Sequence, residues 1–330
     1  MLDFTVAIPT YNGATRLPIV LEKLRSQINT ENISWEVIVV DNNSSDNLTQ
    51  VVNSFQHEWP DHIPLRYCFE AEQGLAFARQ KAIEEANGNF IGFLDDDNLP
   101  EPDWVIEAVK FGQEHQTAGA YSGKIMGYFE ADPPEKFDTI QAFLAIRKHG
   151  SETCLFEPEK LRLPPGAGLV VRKQAWSENV PTRLALVGRV GNSIVAGEDY
   201  EALLYLHKGG WKIWYNPTMC IHHKIPKHRL EKEYLIPLAK GIGLATFQLL
   251  MINAKNWQKP LIFLKTILGN IKRILLLLIK NRFQVKKNLI AAFKFEFLWG
   301  SLLSPFYYLK KMVTGSKQVM MKKYKSFSQQ

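Results

Sequence analysis

The sequence predicts an α/β fold: a mixed, mostly parallel sheet flanked by helices, followed by a basic helical region at the C-terminal end. Short apolar runs alternate with segments of helical periodicity in the first part of the chain, and polar clusters follow the apolar runs. The third observation is a change in charge near residue 230. With 330 residues, of which 46% are hydrophobic, the chain can bury one large core or two modest ones.

The predicted strands are short runs of β-branched or aromatic residues bounded by Gly, Pro, Asn, Asp or Ser. They cover residues 4–9, 36–40, 65–69 and 90–94, with 120–125, 169–172 and 211–215 as further candidates. Helices are predicted at 17–28, where apolar residues recur at helical spacing, and at 75–86, an Ala-rich segment that ends at Asn87-Gly88. This alternation predicts parallel strands with helices on both faces.

Three consecutive carboxylates, Asp95, Asp96 and Asp97, directly follow the strand at 90–94. In a parallel sheet, ligands bind beyond the carboxyl ends of the strands, so this cluster lies where a binding site is expected. Strand alternation points Asp95 and Asp97 to one side, and two carboxylates together suit a hard cation such as Mg²⁺ or Mn²⁺. A solvated acidic turn is the alternative.

Polar residues also end the first two predicted strands. Asp41 closes the second strand, where its carboxylate can accept hydrogen bonds from a base or ribose, although helix capping would explain it too. Arg79 and Arg229 are candidate diphosphate contacts because guanidinium groups pair bidentately with phosphate oxygens; surface ion pairs are the alternative. The cluster after the first strand is Pro9, Thr10, Tyr11 and Asn12, and the turn after Asp41 includes Asn43.

A second acidic pair, Glu198 and Asp199, follows Gly197 and precedes an apolar helical pattern. A carboxylate at a helix start suits a general base and suits a helix cap equally well. His222 and His223 follow a strand-like segment, and one histidine could complete the metal site that the aspartates begin. A histidine at a strand edge without a ligand is the commoner situation.

Taken together, these segments resemble family 2 glycosyltransferases over residues 4–230. The matching segments, in order, are VAIPTYN, VIVVDNNSSD, QGLAFAR, FLDDDN, GEDYEALLYLHKGGWKIWYNP and HKIPKHR. The resemblance implies a GT-A fold, a nucleotide-sugar donor (most often a UDP-sugar), a divalent metal (Mn²⁺ or Mg²⁺) and inversion at the anomeric carbon. It extends to bacterial, particularly cyanobacterial, exopolysaccharide transferases of the hormogonium type, which implies a glycan or lipid-linked acceptor.

The resemblance also implies roles for single residues on the donor side. Asp41 matches the uridine contact, and Asp95 and Asp97 match the family's DxD pair, with Asp97 the metal ligand and Asp95 facing the nucleotide. Asp96 points to the other side of the strand and is expected to matter least. The first nucleotide loop comprises Pro9, Thr10, Tyr11 and Asn12, and the loop facing the donor includes Gly74 and Arg79.

On the acceptor side, Asp199 matches the base that takes the acceptor proton, with Glu198 beside it. His223 matches the histidine of an HxVPxxR-like segment, and His222 is a near-equal alternative because the register is uncertain by one. Trp211 resembles an aromatic on the acceptor side, and the QxxRW signature of processive synthases is absent near it, which favours a single-addition enzyme. A small-residue stretch that admits donor and acceptor is matched by Gly166, Ala167 and Gly168.

The charges divide the chain near residue 230. Residues 231–330 hold 18 Lys or Arg against 3 Glu, a net charge of +15, which leaves −8 of the total +7 for residues 1–230. We therefore predict a catalytic domain at 1–230, with a nucleotide-sugar half at about 1–124 and an acceptor half at 125–230, and a basic tail at 231–330. An acidic front half argues against nucleic acid as a partner, and a basic, apolar tail suits an anionic membrane surface.

Within the tail, basic and apolar residues fall on different faces of a helix, which is typical of an interfacial helix. A bundle packed on the catalytic domain is the alternative. No uncharged apolar run reaches the roughly 20 residues of a spanning helix, so no transmembrane span is predicted. The basic face comprises Lys265, Lys272, Arg273, Lys280 and Lys287, and the apolar surface comprises Ile267, Leu268, Ile271, Ile274, Leu275, Leu278 and Ile279.

The expected location is the cytoplasm, at the inner face of the membrane. The N-terminal residues lack the basic and long apolar regions of a signal peptide. The three cysteines lack CxxC spacing, so neither a disulfide framework nor a zinc site is predicted.

Three other classes of protein fit the sequence less well. A nicotinamide dehydrogenase would need GxGxxG after the first strand, where this chain has Pro9-Thr10-Tyr11-Asn12-Gly13. A sugar nucleotidyltransferase would need a glycine-rich phosphate loop near its N-terminus. A non-catalytic nucleotide-sugar-binding membrane scaffold would not need three polar clusters at converging strand ends.

Overall fold

The computed structural model describes residues 1–191 and 193–327, with side chains through Val313. The chain divides into two compact units, one spanning Met1–Glu231 and one beginning at Lys232.

The first unit is built on one mixed sheet in the order β3-β2-β1-β4-β8-β6-β9-β5, with β7 paired to β9. Its strands are β1 Leu2–Thr10, β2 Trp35–Asp41, β3 Leu65–Phe69, β4 Gly88–Phe93, β5 Asn98–Pro100, β6 Ala118–Phe129, β7 Cys154–Leu155, β8 Leu169–Arg172 and β9 Lys212–Ile225. Its helices are α1 Leu17–Arg25, α2 Leu48–His57, α3 Leu75–Glu85, α4 Trp104–Glu114, α5 Lys173–Asn179 and α6 Glu198–Lys208.

The first four strands of the sheet, β3, β2, β1 and β4, are mutually parallel. Strand β8 is antiparallel to β4 and to β6, whereas β6 and β9 are parallel. The predicted mixed, mostly parallel α/β class is therefore confirmed. Since parallel strands end at the same edge, the segments after Thr10, Asp41 and Phe93 emerge side by side.

The core lies between this sheet and its helices. Val6, Ile8, Val37 and Val39 of the central strands are fully buried, as is Leu21 of α1. Each central strand is covered on both faces, so its apolar residues run nearly without interruption, as in β2, where all seven residues are buried.

The observed strands differ most from the predicted ones at β9. The prediction ends at Tyr215, but the strand continues to Ile225 and pairs again with β6 from Cys220 onward. The register shifts between Ser122 and Lys124, opposite a segment that contains Pro217, which has no amide hydrogen for the ladder. The extension matters because it brings the histidines at 222 and 223 beside β5.

The second unit consists of α7 Lys232–Ile252, α8 Lys259–Lys280 and α9 Leu289–Phe327. Gly243 of α7 and Gly300 of α9 lie directly against each other's helix backbone, so a Cβ at either position would overlap main-chain atoms. These helices contact each other more extensively than either contacts α8.

Two helices of this unit, Lys232–Ile252 and Leu289–Val313, are long and apolar enough to cross a membrane by length and composition. The prediction of no transmembrane span was based on uncharged runs, and it stays a prediction, because both of these helices contain charged residues that such a count excludes. Half of the α7 window is buried within the protein, as it also is in core helices of soluble proteins. Length and composition therefore do not assign a span.

Candidate active site

The polar side chains at the carboxyl ends of β1, β2 and β4 form one continuous edge in the first unit. Asn12, in the left-handed region at φ 49°, accepts a hydrogen bond on Oδ1 from the Ser45 amide at 2.8 Å. The Asn12 amide donates to Ser44 Oγ at 3.0 Å. These bonds join the loop after β1 to the turn after β2, as the sequence predicts for converging strand ends.

Asp41 is buried at the end of β2 and is fully engaged with the protein. Its Oδ1 accepts from the Ser44 amide at 2.8 Å, and its Oδ2 accepts from the Tyr67 hydroxyl at 2.7 Å. Asn43, at φ 63°, donates to the Ala71 carbonyl. Asp41 therefore shapes the turn that contains Asn43, and Tyr67 is a partner that sequence reasoning missed.

Gly74 starts α3 and connects this edge to Arg79. Its φ of 145° favours glycine, and its amide donates to Asn42 Oδ1 at 2.7 Å. Tyr11 is about half exposed, and Pro9 lies inside the sheet in register with Val40. The predicted donor residues of β1, β2 and α3 thus share one side of the fold.

Asp96 is bound by two side chains of the segment after β1, Thr10 and Arg16. Arg16 binds it through both oxygens, with Nε–Oδ1 at 2.7 Å and Nη2–Oδ2 at 2.9 Å, and the Thr10 hydroxyl donates to Oδ2 at 2.5 Å. Gly13 leaves the space for this contact, since a Cβ there would overlap Thr10 Oγ1 and Asp96 Oδ2. This arrangement gives no support to the expectation that Asp96 matters least, and Arg16 was absent from the predicted site.

Asp97 and His223 form a buried corner next to this edge. Asn98 pairs with His223 in the β5–β9 ladder, which places Asp97 Oδ1 3.6 Å from His223 Nε2. Arg229 Nη1 lies 2.8 Å from Asp97 Oδ2 and 3.2 Å from His223 Nε2. Burial raises the pKa of Asp97, but His223 and Arg229 outweigh it, so the net pKa is lowered and the carboxylate stays ionised.

The tautomer of His223 follows from its neighbours. Its Nδ1 lies 2.9 Å from the Leu144 carbonyl oxygen, which can only accept, so Nδ1 carries the hydrogen. Nε2, which faces Asp97 and Arg229, is the nitrogen that carries a lone pair when the ring is neutral. A histidine fixed in this way by a backbone carbonyl is the usual form of a metal-binding imidazole.

His222 faces the opposite side of β9 and does not join this corner. Its Nε2 lies 2.6 Å from Glu101 Oε1, and Cys220 lies on the same side, with the ligand atoms of all three within 4.8 Å of one another. The structure therefore brings His223, and not His222, to Asp97. The reason is the period of two in a strand: neighbouring side chains point to opposite faces.

Asp199 and Glu198 lie in the first turn of α6 after Gly197, whose φ is 127°. Asp199 Oδ2 accepts from the Gly166 amide at 2.7 Å, and Oδ1 contacts the Tyr200 amide at 2.8 Å. Gly197, which has no side chain, occupies the N-cap position itself. Asp199 is therefore not the N-cap residue, although its side chain also accepts from an amide of the first turn.

Arg79 is buried beside Glu198, with Nη1 3.5 Å from Glu198 Oε1. Its guanidinium lies against Gly166, where a Cβ would overlap it. Among the described residues, Arg79 Nε and Nη1 make no hydrogen bond. Burial and the neighbouring Asp199 charge raise the pKa of Glu198, although Arg79 opposes this. The site thus contains a buried cation with unused donors.

Asp95 titrates differently from Asp97. Burial, together with repulsion from Asp97, raises the pKa of Asp95 to about 6, although Arg79 lowers it. The Asp95 amide donates to Asn98 Oδ1 at 3.0 Å. The pKa values of these two carboxyl groups, two residues apart, are therefore shifted in opposite directions. Such shifts are common at functional sites.

The small-residue stretch reaches the site, but Trp211 does not. Gly166 contacts Asp199 and Arg79, Ala167 is buried, and Gly168 adopts φ 65° against Ile221. Trp211 packs on Gly119 and lies 5.9 Å from the Arg172 guanidinium.

The structure does not place Trp211 at the acceptor side, contrary to the prediction. Arg172 pairs with Phe90, five residues before Asp95, which is roughly 16 Å along an extended strand. Trp211 therefore belongs to the opposite end of the sheet, because it precedes β9 whereas the histidines lie near the end of that strand.

Comparisons with known proteins agree on the family. Residues 5–166 match the family model "Glycosyl transferase family 2". The chain is 27% identical over 133 residues to the putative teichuronic acid biosynthesis glycosyltransferase TuaG of Bacillus subtilis, covering 40% of this chain and 51% of that protein. It is 24% identical over 202 residues to the glucosyl-dolichyl phosphate glucuronosyltransferase of Haloferax volcanii, covering 61% and 62%. The matches thus span about half to three fifths of these relatives.

The fold has solved counterparts. The mannosyltransferase PcManGT of Pyrobaculum calidifontis, solved with GDP-Man and Mn²⁺, superposes with a TM-score of 0.56 at 19% identity, covering 91% of this chain and 89% of that chain. At this identity the likeness shows the fold alone, which is the predicted GT-A fold. Through the match of residues 5–166, the chain belongs to glycosyl transferase family 2.

Proposed function

We propose that the chain is an inverting, metal-dependent glycosyltransferase that moves a hexosyl group from a nucleotide-sugar to a hydroxyl of a glycan or lipid-linked acceptor. The observation that carries this proposal is the convergence of three groups at one sheet edge: the Asp97–His223 corner, the buried Arg79, and Asp199 held by the Gly166 amide. The names of two relatives, which refer to teichuronic acid biosynthesis and to glucosyl-dolichyl phosphate, support the acceptor class.

The residues of the corner fit a divalent cation. An ionised carboxylate and a neutral imidazole with a lone pair on Nε2 are both suitable ligands, and Arg229 already balances negative charge there. Asp97 and His223 would hold Mn²⁺ or Mg²⁺, and the bound cation would stabilise negative charge on the departing diphosphate. The Mn²⁺ in the PcManGT structure supports this assignment.

The donor is held by the edge formed from β1, β2 and β4. Thr10, Asn12, Asp41 and Asn43 line the nucleotide side, with Asp95 and Asp96 between them and the metal corner. Arg79 supplies unused N–H donors, which suit phosphate oxygens. We propose UDP as the nucleotide because Asp41 and its turn match the uridine contact of the family; a GDP-sugar, as in PcManGT, is the alternative.

In the proposed reaction, Asp199 takes the proton from the acceptor hydroxyl as that oxygen attacks C1 of the sugar. The bond between C1 and the diphosphate oxygen breaks, and the nucleoside diphosphate leaves with the bonding electron pair. Attack opposite to the leaving group inverts the configuration at C1. The Gly166 amide donates to Asp199 and so orients the base. The pKa of Glu198 is raised, which favours its neutral form and reduces the negative charge next to Asp199.

The test is nucleotide release from a panel of UDP- and GDP-sugars, with Mn²⁺, with Mg²⁺ and with EDTA. We expect release with one metal and none with EDTA. Asp199→Asn should lower the rate by roughly 10² to 10⁴, the usual contribution of a positioned base, and Asp97→Ala should lower it at least about tenfold through loss of a metal ligand, while the exposed control Asp61→Asn keeps it.

Release by either variant at the wild-type rate removes that residue from the mechanism. Turnover of nucleoside triphosphates in place of sugar transfer would instead indicate a nucleotidyltransferase, and metal-dependent UDP binding without turnover would indicate a scaffold.

The histidine pair offers a matched test of the metal corner. His223→Ala should weaken the apparent Mn²⁺ affinity at least tenfold, as loss of a ligand does, whereas His222→Ala should leave it within twofold. Equal effects of the two substitutions would contradict the assignment, because the side chains lie on opposite faces of β9.

We further propose that residues 231–330 attach the enzyme peripherally to the inner face of the cytoplasmic membrane, where a lipid-linked acceptor would be met. The net charge of +15 in this segment supports an anionic surface as the partner. The full chain should float with anionic vesicles and be released in part by salt. Absence of flotation under any salt condition would rule out this attachment.

A further inference from the structure

Helix α8 presents most of its apolar side chains to solvent, and two of its three buried residues are polar. Thr266 and Asn270 are buried, and Asn270 Nδ2 donates to Ser301 Oγ of α9 at 3.0 Å. In a helix adapted to water the apolar face is turned inward. The outer face of α8 therefore suits a medium other than water.

Of the seven exposed apolar side chains of α8, all but Leu276 form one continuous stripe along the helix. They recur three or four residues apart, so they share one face. Trp257, just before α8, and Phe283, just after it, are also exposed. This leucine stripe comprises Leu261, Leu264, Leu268, Ile271, Leu275 and Ile279. Contiguous apolar surface of this kind marks an interaction site.

A row of cations runs beside the leucine stripe. It comprises Lys265, Lys272, Arg273 and Lys280, all exposed. Between Glu233 and Glu296 the sequence has no acidic residue. Helix α8 is therefore amphipathic within its exposed surface: apolar on one side and positively charged on the other.

The charge pattern decides between two possible partners of this surface. A second copy of the chain would bring its own cation row and no acid between residues 233 and 296 to balance it. An anionic membrane supplies acyl chains for the stripe and phosphate groups for the cations. With Lys or Arg at five of its 22 positions, α8 is too charged to cross the bilayer and suits an orientation parallel to its surface.

We propose that α8 lies in the boundary between headgroups and acyl chains of an anionic membrane, with the leucine stripe among the acyl chains and the cation row at the phosphates. This inference rests on the membrane attachment proposed above and assigns it to one surface. It also makes the attachment mainly apolar, so that salt alone does not reverse it.

The test is flotation of the full chain with vesicles of phosphatidylcholine, with and without phosphatidylglycerol, at low and high salt. Leu264→Gln/Leu268→Gln/Leu275→Gln should lower the partition coefficient at least tenfold and remove the salt-resistant fraction. Lys265→Gln/Lys272→Gln/Lys280→Gln should lower binding about fivefold per lysine, only at low salt and only with phosphatidylglycerol. The control Ile19→Gln/Ile28→Gln/Leu155→Gln removes three exposed apolar residues from the first unit and should change nothing.

The outcomes separate this inference from the proposals on which it rests. If the leucine variant floats like the wild type, the stripe is not the lipid contact, although the attachment stands. If that variant turns an oligomer into a monomer without changing flotation, a second copy covers the stripe and the inference is overturned. If flotation changes as expected but no donor releases nucleotide, the enzymatic proposal fails and the lipid contact stands.

Discussion

The sheet of the first unit and helix α8 of the second bury opposite kinds of side chain. In the sheet, β2 buries every residue, and the polar groups come at the strand ends, where Asp41, Asp96 and Asp97 find partners. In α8, Thr266 and Asn270 are buried beside Ile274, whereas the leucine stripe is exposed. The difference teaches that composition alone, apolar in both cases, does not tell which medium a segment is adapted to.

The largest effect should come from truncating the same residue type in the two regions. Leu21→Ala removes a fully buried side chain from the core of the first unit and should cost about 2–5 kcal/mol of unfolding free energy. Leu268→Ala removes a side chain that is 64% exposed and should change stability by less than about 0.5 kcal/mol in lipid-free solution.

Chemical unfolding of both variants gives the comparison. A cost above about 2 kcal/mol for Leu268→Ala would show that α8 packs its leucines against protein, and the contrast between the regions would disappear.

A second comparison uses two helical glycines of the second unit. Gly300→Ala places a Cβ against the Lys240 carbonyl of α7, backbone that cannot yield, and should cost about 1–3 kcal/mol. Gly269→Ala on α8 meets only the flexible end of Arg273 at 3.4 Å and should stabilise by about 0.5–1 kcal/mol through helix propensity. Thermal unfolding should shift in opposite directions; the same sign for both would contradict the close packing of α7 on α9.

A smaller effect is expected where charge is concentrated at the sheet edge. Arg16→Gln removes the bidentate partner of Asp96, which then keeps only the Thr10 hydroxyl, and should weaken UDP binding about tenfold through loss of the charge-assisted contact that orients the aspartates. Arg25→Gln, which loses only an exposed contact with Glu22, is the matched control. Calorimetric titration that finds equal affinities for both variants would show that Asp96 lies outside the nucleotide site.

The smallest effect concerns pH. Because burial and Asp199 raise the pKa of Glu198 in the folded state, the contribution of this group to stability is fully present below its unfolded pKa near 4.5 and is lost as the pH rises through the folded pKa. Glu198→Gln removes this dependence, so its stability relative to the wild type should improve from acid to neutral pH. A difference that is constant with pH would contradict the shift.

The sequence predicts the sheet well because its signals are local. The strands at 4–9, 36–40 and 65–69 lie within β1, β2 and β3, since each is a short apolar run bounded by turn residues. Helix α1 ends at Arg25, three residues before the predicted end, and α2 and α4 are helices that the prediction did not include. The predicted helix boundaries are the least accurate part, because the residues at which a helix ends depend on packing.

Of the site, the sequence predicts the residues that directly follow strands. Asp41, Asp95 and Asp97 follow directly from strands, and parallel strands must end at one edge. The partners Arg16 and Tyr67 lie outside the predicted set because an ion pair or hydroxyl contact between separate elements leaves no spacing signal in the sequence.

By itself, the sequence determined the α/β class, the edge at which carboxylates gather, and the charge contrast between residues 1–230 and the tail. Only the tertiary structure decided that His223 faces Asp97 while His222 faces Glu101, 121 positions away in the chain. It also decided that Trp211 lies at the far end of the sheet and that the leucines of α8 point outward. The physical reason is the register between distant segments: a shift of one residue turns a strand's side chains to the other face, and periodicity gives a helix its faces without saying which one is buried.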